Sequence, residues 1–208
     1  MNPSLSSRAP LQSLPIPAEC LQSVSMDFVF RFPEDAHMNN GILVFVDRFS
    51  KMVHLAAVNE LISAHGCARV FIDTVFRLHG LLRELVYDRY PRFTAAFWQY
   101  VFRSLETRLA MSTSDHPETD GQTERVNRVL EEILRGYVQS FTDWRESLLM
   151  VEFAINKSVH ASTTYTPFFV NSLHHPRLPT HSECDTNSRG EGFARAKTVL
   201  DLAHHVSR

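Results

Sequence analysis

Asp27, Asp88 and Glu124 stand at positions where a carboxylate has chemistry available to it. Asp27 falls inside Val24-Ser25-Met26-Asp27-Phe28-Val29-Phe30, which reads as a strand, and a carboxylate among such neighbours is costly unless paired or metal-bound. Asp88 follows the short run Glu84 to Tyr87, at the carboxyl end of a predicted strand, where ligand sites of open α/β sheets gather. Glu124 lies in the first turns of a long helix. Val126, Val129, Leu130, Ile133, Leu134 and Tyr137 form the apolar side of that helix, and Glu124, Arg128, Glu131 and Arg135 line the other. Acids carried by two strands and a helix suit hard divalent cations, which take oxygen ligands and keep waters and substrate phosphates. Two such ions roughly 3.5–4 Å apart stabilise the attacking and leaving oxygens of a phosphoryl displacement. A base four residues on, Arg128, then stands beside the acid for a phosphate.

Each acid also has an ordinary explanation. The sequence holds 23 Asp and Glu in 208 residues, about one in nine, so spacing alone singles out none of them. Strand alternation can turn Asp27 to solvent, Asp88 can cap a helix or turn, and Glu124 can belong to a solvated helix face.

The elements that would position these acids follow in a clear order. Residues 1–22, rich in Ser, Pro and Leu, read as an extended arm. The strand around Asp27 is followed by a polar turn, Pro33 to Gly41, and by apolar runs at Ile42 to Val46 and Met52 to Val58, an antiparallel meander. Ala64, Cys67, Ala68, Phe71, Ile72 and Val75 make one helical stripe, with Ser63 as N-cap and Gly80 as stop. Glu84 to Tyr87 is a short strand, Thr94 to Leu105 a helix, and Thr107 to Met111 a further strand. The polar loop Ser112 to Gly121 precedes the long helix, which runs to Ser140. Asp143 would cap a helix over Trp144 to Asn156, and Thr166-Pro167 opens a last short one. The order β-β-β-α-β-α-β-α-α predicts an α/β domain with a mixed five-stranded sheet flanked by helices.

Composition bounds the rest. Apolar residues at 44% and charged residues at 21% are those of a globular chain, here one domain with a short appendage. A net charge of −2 excludes nucleic-acid binding by bulk charge, so any such contact must be local. Cys20, Cys67 and Cys184 show no metal-ligand spacing or disulfide framework, which suggests a reducing, intracellular setting. The longest apolar run, Ile42 to Val46, is too short to cross a membrane, and no signal-peptide core is visible.

Spaced motifs carry a resemblance. Sixty residues (28–87) separate Asp27 from Asp88, and thirty-five (89–123) separate Asp88 from Glu124. Ser25-Met26-Asp27-Phe28, Asp88 to Phe93 and His116-Pro117-Glu118-Thr119-Asp120-Gly121-Gln122-Thr123-Glu124-Arg125-Val126-Asn127 resemble the catalytic core of retroviral-type integrases, most closely those of gypsy-like LTR retrotransposons. Asp47-Arg48-Phe49-Ser50-Lys51, Phe97-Trp98, Phe153-Ala154-Ile155-Asn156 and Thr166-Pro167-Phe168 belong to the same pattern. The resemblance spans residues 20 to 180 and implies an RNase H-like fold, with a core over 23–172 and a linker and tail over 173–208. It implies a polynucleotidyl transferase and nuclease using two Mg²⁺ or Mn²⁺ ions held by Asp27, Asp88 and Glu124, with Arg125, Asn127 and Arg128 on DNA. Element ends and target DNA would be its substrates, a homo-oligomer its working form and the nucleus its place.

Departures from the family pattern keep other readings in view. Tyr87 stands where a small Ser precedes the second Asp, Tyr90 where Gly or Asp follows it, and Arg83 near a position where Pro is common. The His/Cys zinc module and basic C-terminal module of full-length integrases have no counterpart in this sequence. The alternative is a catalytically degenerate RNase H-like domain retained for nucleic-acid or protein binding. A simple RNase H-like nuclease is a third reading, but it should lack the His116 to Asn127 segment.

Overall fold

The computed structural model describes residues 17–30, 32–87, 95–104 and 144–177. Strands β1 (Ser23–Phe30), β2 (Gly41–Asp47) and β3 (Val53–Val58) form the antiparallel meander expected from the three apolar runs. Strand β4 (Glu84–Tyr87) lies parallel to β1, and the sheet order is β3-β2-β1-β4. β1 is therefore interior, between β2 and β4. The expected fifth strand, at Thr107 to Met111, and the long helix from Gly121 lie outside the described residues.

Strand alternation divides the core between the two faces. Val24, Met26 and Phe28 of β1 join Leu43 and Phe45 of β2 against helix α1 (Ala64–Phe71) and helix α3 (Ala95–Ser104). Val29 of β1 and Ile42, Val44 and Val46 of β2 pack on the other face against helix α4 (Trp144–Lys157). Ser63 caps α1, its hydroxyl accepting from Gly66 N–H at 3.1 Å. The chain continues through a π-helical segment, Ile72–Phe76, and a last turn α2 (Arg77–His79), and stops at Gly80, whose φ of 78° suits a residue without Cβ. The π segment is a departure from the regular stripe read in the sequence. It keeps Val75 fully buried and leaves Ile72 at the margin of the core. Helix α5 (Pro167–Ser172) opens as expected, with Thr166 as cap and Pro167 in the first turn.

Helix α4 also seals an edge of the sheet. β3 has β2 on one side, and its outward N–H groups need partners. Asn156, buried on α4, accepts from Val53 N–H at 2.7 Å and donates to the Val53 carbonyl at 2.8 Å. One turn earlier, Glu152 accepts from Leu55 N–H at 2.8 Å. The i, i+4 pair thus stands in for a neighbouring strand. The other Glu152 oxygen faces His54 Nδ1 at 3.1 Å, and His54 Nε2 meets His79 Nε2 at 2.8 Å. A carboxylate-to-imidazole-to-imidazole chain therefore ties α4, β3 and α2 together. Burial first, and the nearby His54 second, push the His79 pKa below its ordinary value, with Asp47 partly opposing.

Two outcomes follow from this edge. Asn156→Ala leaves both Val53 backbone groups without their partner and should cost about 2–3 kcal/mol, measured as a lower urea midpoint at unchanged slope. His79 is neutral in both folded and unfolded chains above pH about 6.5. Below that value the unfolded chain takes up the proton first, so stability falls as pH falls. Urea midpoints measured from pH 8 to 5.5 should decline below about 6.5, and less steeply in His79→Gln, which keeps a donor toward His54.

Candidate active site

Asp27 lies in the middle of interior strand β1, opposite Val44 of β2. It shares a face with Ser25 and Val29, the face covered further along by α4. Its side chain is half-buried, and its Oδ1 accepts from the Phe28 N–H at 2.7 Å. A carboxylate carried on the inside of a sheet is held more rigidly than one on a loop, which is what a metal ligand requires. The charge that alternation might have turned to open water thus sits partly sheltered at the heart of the sheet.

The strand beside it is fixed by a polar lock. β4 pairs with β1 in the register Ser23↔Glu84, Val24↔Leu85, Ser25↔Val86 and Met26↔Tyr87. Ser23 donates its hydroxyl to Glu84 Oε2 at 2.7 Å. The buried Arg48 donates from Nη1 to Ser23 Oγ at 3.1 Å and stands 3.5 Å from Glu84 Oε2. Backbone bonds reinforce the same corner, from Arg48 N–H to the Ser23 carbonyl and from Arg83 and Glu84 N–H to the Gln22 carbonyl, each at 3.0 Å. The described part of β4 ends at Tyr87, beside Met26, so the chain leaves this strand next to Asp27.

Asp47 holds Arg48 in place. It is buried, and its oxygens accept from Leu21 N–H at 3.0 Å, Ser50 N–H at 2.9 Å and the Ser50 hydroxyl at 2.5 Å. Lys51 follows with φ 67° and donates its N–H to the Asp47 carbonyl at 2.9 Å. The segment Asp47 to Lys51, singled out in the sequence as part of a motif, is therefore the structural turn that presents Arg48 to β1 and β4. The acid Asp47 organises this turn.

Of the residues expected at the site, Asp27 alone is among the described residues; Asp88, Glu124, Arg125, Asn127 and Arg128 lie outside them. Among the described residues no group of three or more His, Cys, Asp or Glu is gathered that could hold a metal ion. The lock of Ser23, Arg48 and Glu84 was not foreseen. The sequence carries no local signal for it, because Glu84 is thirty-six positions away (48 to 84) and its pairing depends on the parallel strand.

No family model matches the chain. It is 33% identical over 187 residues to the Transposon Tf2-3 polyprotein of Schizosaccharomyces pombe, and equally to the Tf2-4 and Tf2-5 polyproteins, covering 86% of this chain. The chain spans 14% of the length of these curated relatives. Among solved structures it is similar to the HTLV-2 integrase catalytic core domain in complex with magnesium, with TM-score 0.59 and 16% identity over 74% of this chain and 98% of that one. It is also similar to a chain of the simian T-cell lymphotropic virus intasome in complex with the PP2A regulatory subunit B56 gamma, with TM-score 0.62 and 19% identity over 86% and 63%. The BIV integrase catalytic core matches with TM-score 0.54 and 20% identity over 73% and 93%. The meander, the parallel β4 and the flanking helices agree with these cores. The chain is thus homologous to one stretch of the Tf2 retrotransposon polyproteins and has the RNase H-like fold of a retroviral-type integrase catalytic core.

Proposed function

We propose that this domain is the catalytic core of a DNA integrase, acting as a polynucleotidyl transferase and nuclease on the ends of a retrotransposon's DNA and on target DNA. The observation that carries the reading is Asp27 itself, a half-buried carboxylate on the interior strand β1, which runs parallel to β4 and lies beside Tyr87 at its end. Homology to the Tf2 polyproteins and the integrase-core fold support the same conclusion.

The donor set fits a hard cation, since Asp27, Asp88 and Glu124 offer only carboxylate oxygens. These residues would hold two Mg²⁺ or Mn²⁺ ions, whose chemistry is to polarise the scissile phosphate and favour ionisation of the nucleophile. A similar core is known in complex with magnesium. Asp27 contributes a fixed anchor on an interior strand. Arg125, Asn127 and Arg128 follow Glu124 and would bind phosphates beside it, orienting the strand by charge rather than by base sequence. In the first reaction water attacks a phosphodiester near the element's end and the 3′ oxygen leaves. In the second the freed 3′-hydroxyl attacks a phosphodiester of the target, forming a new ester to its phosphorus, and the 3′ oxygen of the target strand leaves. The same residues serve both, because only the nucleophile changes. Two ends must be joined to one target, which favours a homo-oligomer, and chromosomal DNA as target implies work in the nucleus.

A second reading has its own observation. Tyr87 and Tyr90 flank Asp88 where the integrase pattern has small or polar residues, which favours a degenerate domain that binds without catalysing. A disintegration-type strand-transfer assay with Mn²⁺ decides between them. The parent chain should transfer strands, and Asp27→Asn should lose at least about a hundredfold, equivalent to roughly 2.7 kcal/mol of barrier, while folding and DNA binding persist. Full activity in Asp27→Asn would contradict the site, and a parent that binds DNA without metal-dependent transfer would establish the degenerate reading.

A further inference from the structure

The described C-terminal stretch, residues 157–177, builds an aromatic stack at the surface. Tyr165 stacks on Phe169 with ring centroids 5.4 Å apart and planes tilted 25°, and Phe169 stacks on His175 at 5.3 Å and 25°. Both values are those of offset stacking. Phe168, the neighbour of Phe169, packs on Phe153 of α4, which anchors the short helix α5 to the sheet layer.

The backbone on both sides is shaped to deliver these rings. Before α5, Thr164 adopts φ 60°, and the turn is closed by Thr164 N–H to the His160 carbonyl at 2.8 Å and His160 N–H to the Tyr165 carbonyl at 3.0 Å. After α5, Leu173 adopts φ 58° and the chain doubles back. Ser172 donates its hydroxyl to the Phe168 carbonyl at 2.7 Å, and Thr166 Oγ1 meets His175 Nδ1 at 3.3 Å. Two non-glycine residues with positive φ flank a helix of six residues. The hydrogen bonds around them hold the rings in line, yet Tyr165 remains 56% exposed. Burial does not account for the arrangement.

Charge bears on the ligand. Residues 157–177 contain no Asp or Glu and carry two formal cations, Lys157 and Arg177. Exposed aromatic faces on a stretch of chain with cations and no acids suit a single strand, whose bases lie on rings and whose phosphates meet cations. We propose that the exposed ring of Tyr165, braced by Phe169 and His175, forms a stacking platform for unpaired bases of single-stranded DNA, separate from the Asp27 strand. The platform deepens the integrase reading, on which the identity of its ligand rests: strand ends processed and joined by such a core have unpaired bases to hold.

The test is fluorescence anisotropy with the full chain, using a short oligothymidylate and an abasic oligonucleotide of the same length. Tyr165→Ala should weaken binding of the oligothymidylate at least about fivefold, and Tyr165→Phe should restore it, since stacking needs the ring and not the hydroxyl. Binding of the abasic strand should be weaker in the parent and unchanged by Tyr165→Ala. Thermal melting should fall by only a few degrees, about what loss of one half-exposed aromatic pair costs, and the variant stays folded at the assay temperature. Equal affinity of parent and Tyr165→Ala for oligothymidylate would overturn the proposal, as would an equal loss on the abasic strand or a parent that does not bind single strands. Strand transfer lost with Asp27 but stacking unaffected by Tyr165 would remove the platform and leave the integrase reading standing. Stacking lost with Tyr165 in a chain without strand transfer would do the reverse.

Discussion

A guanidinium buried beneath a parallel strand pair must find partners there, and Arg48 finds them in Ser23 of β1 and Glu84 of β4. That demand fixes which residues of the two strands stand side by side. Slipping β4 by one residue would carry Glu84 to the opposite face, into the cluster of Val24, Met26 and Leu85, and leave Arg48 without its carboxylate. The polar corner therefore sets the register of β4 against the strand that carries Asp27. Asp47 and the turn it organises are the device that keeps Arg48 aimed at that corner.

The opposite edge of the sheet is closed by another polar arrangement. Glu152 and Asn156 supply β3 with the hydrogen bonds that a further strand would give, so α4 is both a layer of the core and a seal on the edge. The apolar faces of the sheet are thus bounded by two polar clamps, one at β1 and β4 and one at β3. Between them lies the interior strand that carries Asp27, a rigid setting of the kind that the proposed metal ligand would need. The aromatic stack lies beyond this frame, carried by a six-residue helix that packs on α4 and by the turns on either side of it.

Local signals made much of this legible. The three apolar runs, the stripe from Ala64 to Val75, the caps at Ser63 and Thr166 and the stop at Gly80 all became elements close to their expected bounds, because each depends on neighbours in sequence. What could not be read depends on distant partners. Arg48 and Glu84 look like ordinary surface charges until the parallel pairing brings them together, and the same holds for His54, His79 and Glu152. The π segment escaped because a period of 3.6 residues is blind to one wider turn. Asp27 was legible as unusual from its apolar context, but its half-buried setting on an interior strand follows from the sheet order. The helix face of Glu124, Arg125, Asn127 and Arg128 was read from sequence pattern alone and lies outside the described residues.

In the proposed site Asp27, Asp88 and Glu124 share one metal pair. Iron(II) substituted for magnesium, with ascorbate and peroxide, cuts the backbone beside the residues that bind it. Cleavage is expected at three places in the chain, near positions 27, 88 and 124, suppressed by excess Mg²⁺ and absent in Asp27→Asn. Cleavage near only one of these positions, or a pattern indifferent to Mg²⁺ and to Asp27, would contradict it.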